Sequence, residues 1–128
     1  MNNDEHQLQC ACVRWFAYQY PQYNGLLFAI PNGSYRSKAT AGKLKAEGVV
    51  PGVADLILLV PKCNTYVYFG GEVTLSYHAL CIEMKTEKGR QSPEQHEWQA
   101  KVESQGYRYA VCRSFDDFTR TVNEYLGK

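Results

Sequence analysis

The sequence predicts an α/β (α+β) fold in which helices flank a central mixed β-sheet. Two observations carry this. Asp55 to Val60 and His78 to Lys85 are short runs that are apolar on both faces, as strands in a covered sheet are. Around them lie stretches whose apolar residues recur at helical spacing. The resulting order is α-β-α-β-(hairpin)-β-α-β-α. With 128 residues, the chain is expected to form one domain over 1–128.

Each element has a local cause. Residues 4–19 read as a helix because Glu5, Leu8, Cys12 and Trp15 form one stripe. Pro21 and Asn24-Gly25 stop it. Leu26 to Ile30 is a short apolar strand ended by Pro31-Asn32-Gly33. Ser37 is placed to cap a helix through Lys45, with Gly48 just past its end. After the Asp55 strand, Thr65 to Phe69 with Gly70-Gly71 predicts an extra hairpin. Ser92-Pro93-Glu94-Gln95 is a helix start: serine caps, proline takes the first position, and glutamine completes a capping box. That helix runs to about Gln105. Tyr107 to Cys112 is a strand. Ser114 caps a last helix with Phe115, Phe118, Val122 and Leu126 on one stripe.

Formal net charge is +1, so nothing in the bulk composition marks a nucleic-acid binder. A local basic patch is nevertheless present. Pro31 to Ala46 carries Arg36, Lys38, Lys43 and Lys45 without an acid, and Lys88 and Arg90 follow the second core strand. The five cysteines, at 10, 12, 63, 81 and 112, form no C-x-x-C pair and are odd in number. That argues against a disulfide framework or zinc finger and for reduced thiols in a cytoplasmic, intracellular protein. Met1 to Gln9 has no signal-peptide core, and no apolar run is long enough to cross a bilayer.

The chemistry concentrates at two strand ends. If the two core strands pair antiparallel, the start of one lies beside the end of the other. Asp55, Glu83 and Lys85 then meet at one edge of the sheet. Two carboxylates so close are costly unless a cation joins them. Oxygen ligands of this kind suit a hard divalent ion that keeps several waters, and a neighbouring lysine points to phosphodiester chemistry. Asp55 read alone is more readily a turn aspartate after Pro51-Gly52. Glu5 read alone is an acidic residue favoured near a helix N-terminus. Gln95 has two prospective uses, the capping box and the cleft, and satisfying both in full looks impossible.

These residues resemble the PD-(D/E)XK nuclease signature: Asp55, then Glu83-Met84-Lys85. The surrounding pieces narrow the resemblance to the VRR-NUC (virus-type replication-repair nuclease) domain, stand-alone phage or bacterial type. They are Ile30-Pro31-Asn32-Gly33, Gly52-Val53-Ala54-Asp55-Leu56, Ile82-Glu83-Met84-Lys85-Thr86 and Gly89-Arg90-Gln91-Ser92-Pro93-Glu94-Gln95. The resemblance implies a restriction-endonuclease-like core and a Mg2+- or Mn2+-dependent nuclease. It implies Asp55, Glu83, the Met84 main-chain carbonyl and Glu5 around the metal, with Lys85 catalytic and Gln95 at the site. Ala54 stands where the family's pattern name has proline.

The activity expected is metal-dependent endonucleolytic cutting of branched or structured DNA, as in Holliday-junction resolvases, by a homodimer without a membrane. Asn32, Arg36, Lys38, Lys43, Lys45, Lys88 and Arg90 are expected on the DNA, and Tyr66, Val67, Tyr68 and Phe69 on the dimer surface. Two other readings stay open: a non-catalytic DNA-binding protein on the same skeleton, and an RNA endonuclease.

Overall fold

The structure is a computed structural model and describes residues 3–31 and 38–127, with side chains for 4–31 and 39–127. The element order is the expected one. Helix α1 spans Asn3–Gln19 and is followed by a 3-10 turn, Pro21–Tyr23. Strand β1 is Leu27–Ala29, helix α2 Lys38–Ala46 and strand β2 Leu56–Leu58. The hairpin is β3, Lys62–Tyr68, with β4, Gly71–Tyr77. Strand β5 is Leu80–Met84, helix α3 Pro93–Ser104, strand β6 Arg108–Cys112 and helix α4 Phe115–Tyr125. The expected Ser37 cap and the Asn32-Gly33 turn lie outside the described residues.

The main sheet has four strands in the order β1-β2-β5-β6. The first two junctions are antiparallel and the last, β5 with β6, is parallel, so the sheet is mixed. Strand alternation sorts β5 into two faces. Leu80, Ile82 and Met84 join Leu56 and Leu58 in the larger core, under Cys12, Phe16 and Tyr20 of α1 and its 3-10 turn, and Phe118 and Val122 of α4. Trp15 of α1 sits edge-on to Phe118 at 6.0 Å. Removing a side chain such as Phe118 from water stabilises the fold by roughly 1.5–3 kcal/mol. The opposite face carries Cys81 and Tyr109, packed against Ile57, Trp98 and Val102. Helix α3 thus covers one face while α1 and α4 cover the other.

Helix α3 starts and stops as its sequence dictates. Ser92 Oγ accepts from the Gln95 amide, and the Gln95 side chain accepts from the Ser92 amide. At the far end, the amides of Gly106 and Tyr107 return to Glu103 and Val102 carbonyls, closing the last turn.

The hairpin is longer than the sequence suggested. Its turn is Phe69-Gly70, and pairing continues down to Lys62 with Tyr77. Lys62, at the base of the hairpin, is tied to α4. Its ammonium donates to the carbonyls of Glu124 at 2.7 Å and Tyr125 at 2.9 Å and lies over the Tyr125 ring. It therefore caps the C-terminal end of α4, where a cation is favoured. The hairpin leaves the sheet after β2 and returns at the start of β5, which is the end away from Asp55 and Glu83.

Candidate active site

The antiparallel register sets Leu56 against Ile82, so Asp55 falls beside Glu83 at the sheet end. Asp55 is tied from both neighbours. Its carbonyl accepts from Ile30 N at 2.9 Å, and its Oδ2 accepts from Met84 N at 2.8 Å. The carboxylate thus bridges to β5 rather than closing its own turn. The turn before it has a separate duty. Gly52 has φ +86, and a β-carbon there would fall on the Glu94 carbonyl and lie 2.9 Å from Gln95 N. The missing side chain lets the Asp55 loop pack against the first turn of α3.

Glu83 is buried, with 2% of its surface exposed. Its Oε2 accepts from Gln95 Nε2 at 3.0 Å and faces Lys85 Nζ at 3.8 Å. Its Oε1 is buried, and none of the described residues donates a hydrogen bond to it. Burial raises the Glu83 carboxyl from its ordinary value of 4.5 to about 9. The Asp55 charge and contact push the same way, Glu5 adds to them, and Lys85 partly offsets them. The half-buried Glu5 is therefore close enough to act on Glu83 by charge.

Gln95 corrects one expectation. Its two uses are compatible, because an amide has two ends. Oε1 serves the helix cap while Nε2 serves Glu83.

A second polar layer lies behind. Gln91 Nε2 donates to the Tyr109 hydroxyl and to Gln99 Oε1, both at 3.1 Å. Burial, followed by the Glu83 charge, raises the Tyr109 hydroxyl above the ordinary phenol range. Arg113 holds the loop after Lys85: its Nη1 donates to the carbonyls of Thr86, Glu87 and Gly89. The roles of Tyr109 and Arg113 were missed in the sequence. Their only signal there was position, on and just after the strand that flanks β5.

Among the described residues, three carboxyl groups (Glu5, Asp55 and Glu83) and the Lys85 ammonium act on one another at this end of the sheet. A buried carboxylate oxygen without a donor, next to a second carboxylate, is a fit for a hard cation with oxygen ligands. Among the described residues, no three His, Cys, Asp or Glu side chains come close enough to enclose an ion by themselves. An ion bound there would complete its shell with other oxygens, as Mg2+ commonly does with water.

The basic residues divide. Lys43 and Lys45 are exposed on α2, whose chain leads through Gly52 into Asp55, and Lys88 and Arg90 are exposed in the loop after β5. Asn32 and Arg36 lie outside the described residues, as does the side chain of Lys38. All five cysteines are free, and Cys12, Cys81 and Cys112 are buried. Burial raises the Cys12 thiol to about 12 and the other two to about 11, so none of the three is a ready nucleophile. A cavity of about 380 Å³ beside Tyr77, Arg108 and Tyr125 lies at the opposite end of β5, and its Lys62 is already committed to α4. No described helix is long and apolar enough to cross a membrane.

Asp55, Glu83 and Lys85 thus lie together at one end of the mixed sheet. The VRR-NUC domain model matches residues 3–116. The chain belongs to the VRR-NUC family, a nuclease domain family whose members typically depend on a metal ion and act on nucleic acid. A solved structure described as "VRR_NUC domain protein" is similar in fold, with a TM-score of 0.76 and 22% identity. The match covers 99% of this chain and 91% of that one. No curated protein matches the chain significantly in sequence.

Proposed function

We propose that this chain is a Mg2+- or Mn2+-dependent endonuclease that cuts branched or structured DNA as a homodimer. The observation that carries the reading is Glu83: a buried carboxylate, one oxygen of which has no donor among the described residues, beside Asp55 and within 3.8 Å of Lys85. Asp55 and Glu83 would hold the ion. The Met84 carbonyl is a third donor in this reading, because its own N–H already leaves the strand toward Asp55 and a strand residue's C=O leaves on the same side. Glu5 would add charge or a water-mediated contact. A bound ion would supply Lewis-acid stabilisation of charge that builds on the phosphoryl group.

The chain's own groups do the rest. Gln95 donates from Nε2 to Glu83 Oε2 and so restrains the carboxylate, leaving Oε1 as the oxygen that would be offered to an ion. Lys85 presents an ammonium to the attacking water or to the developing charge. Water would form the new P–O bond, releasing a proton to solvent, as the ester bond to the leaving sugar oxygen breaks and that oxygen takes a proton from solvent. Lys43, Lys45, Lys88 and Arg90, with Asn32, Arg36 and Lys38, would contact phosphates and set position without reading sequence.

The dimer reading draws on the hairpin. Tyr66, Tyr68, Val73 and Leu75 share one face through the β3–β4 register, and each is 43–60% exposed. Val67 faces the other way with Glu72, and Phe69 sits in the turn, so of the four residues first considered only Tyr66 and Tyr68 belong to this face. A two-stranded ribbon with an apolar face is marginal alone in water, and a second copy would cover it.

The test is a cleavage panel of single-stranded, duplex, flap and four-way DNA with Mg2+ or Mn2+. Preferential cutting of the branched substrates is expected. Intact DNA across the panel in both metals would overturn the reading.

A further inference from the structure

We infer that Arg113 is a positioning residue for Lys85, acting through the Gly89 turn; the inference rests on the nuclease reading of the site. Lys85 carries its ammonium on a long, flexible stem with many rotamers. Something must hold it for its ammonium to be aimed. The ammonium faces Glu83 Oε2 at 3.8 Å, and two further contacts, one at the Lys85 backbone and one along its stem, lead toward Arg113. The Lys85 main-chain N–H donates to the Cys112 carbonyl at 3.0 Å, the residue before Arg113. The Lys85 stem lies under Gly89, where an added methyl would sit 3.4 Å from Lys85 Cδ and 3.1 Å from Thr86 Oγ1.

Gly89 is held in turn by Arg113. The turn closes with Gly89 N donating to the Thr86 carbonyl at 3.1 Å. Arg113 Nη1 then gathers the Thr86 carbonyl at 3.0 Å, the Gly89 carbonyl, and the Glu87 carbonyl at 3.4 Å. No described carboxylate forms an ion pair with Arg113. Its charge is directed at main-chain oxygens. Its own backbone is anchored as well: Arg113 N donates to Asp117 Oδ2 at 3.0 Å, and Asp117 N is capped by Ser114 Oγ at 3.0 Å. The first turn of α4 therefore supports the arginine, the arginine supports the turn, and the turn confines the lysine stem.

A displacement of about 1 Å in a reacting group can cost on the order of 100-fold in rate. Arg113→Ala is therefore expected to lower kcat by roughly 10- to 100-fold while KM moves much less. Arg113→Lys is expected to recover most of the loss, since an ammonium has three donors for the same three carbonyls. A role confined to stability would lower the melting temperature and leave kcat of the folded variant unchanged.

A second readout needs no nuclease activity. Competitive acylation mapped by mass spectrometry compares Lys85, 14% exposed, with Lys101, 72% exposed. The Lys85-to-Lys101 labelling ratio is expected to rise several-fold in Arg113→Ala and to stay near wild type in Arg113→Lys. Gly89→Ala, which presses on the same stem without touching α4, provides an independent variant if Arg113→Ala does not fold. It should change the ratio and lower kcat. Unchanged ratios and unchanged kcat in the folded variants would overturn the inference. If the wild-type protein cuts nothing, the nuclease reading fails, and the labelling ratio still decides the role of Arg113.

Discussion

Removing the charge of Glu83 should make the metal-free protein less sensitive to pH. In the folded state burial, and then Asp55, hold the Glu83 carboxyl at about 9, against an ordinary 4.5. Between those values the folded chain keeps a proton that the unfolded chain releases. The stabilisation from this proton is fully present below 4.5 and is lost as pH rises toward 9. The slope is roughly 1.4 kcal/mol per pH unit, or about 3 kcal/mol from pH 6 to pH 8. That is a large share of a stability of about 5–15 kcal/mol. Glu83→Gln cannot titrate, yet it keeps an acceptor for Gln95 and gains a donor toward Asp55. Urea unfolding in chelator at pH 6, 7 and 8 should show wild-type stability falling relative to Glu83→Gln by that amount. Saturating Mn2+ should reverse the wild-type trend, because the ion binds the ionised carboxylate and stabilises only the folded state. Parallel stability profiles for the two proteins in chelator, within about 0.5 kcal/mol, would refute the account of Glu83, since surface changes alone stay inside that range.

Other outcomes follow from the same geometry. Binding of Mn2+ at pH 7 should release about one proton, seen as a calorimetric enthalpy that depends on the buffer's ionisation heat. Asp55→Asn keeps an acceptor for Met84 N, so circular dichroism should be unchanged while Mn2+ binding and cutting are lost. Gln95→Glu preserves the capping box but sets a third carboxyl against Glu83, and a loss of about 1–3 kcal/mol in chelator should be recovered with metal. Gly52→Ala meets the Glu94 carbonyl at positive φ and should cost several kcal/mol in urea unfolding, with α3 losing hydrogen-exchange protection first.

Much of this was legible in local pattern. The Ser92 to Gln95 start of α3 and the two-faced apolar runs of β2 and β5 are short-range signals, and each appears where the sequence placed it. The meeting of Asp55 with Glu83 needed only one assumption, antiparallel pairing, which the register bears out. What escaped is long-range and carried by main-chain atoms. Arg113 binds carbonyls 24 to 27 positions earlier in the chain, and Lys62 binds carbonyls 62 and 63 positions later. Carbonyls have no residue signature, so composition and spacing carry no trace of such pairs.

One amide on α3 has an evolutionary corollary. Because Gln95 both begins a helix and steadies an acidic neighbour, a lineage cannot adjust the second task freely while keeping the first. Glutamate would still satisfy the helix but would turn a donor into a rival for the cation, whereas serine or alanine would loosen the scaffold itself. Variation should therefore collect on the exposed flank of α3, at positions such as Glu97 and Lys101, leaving this one position narrow in its choices.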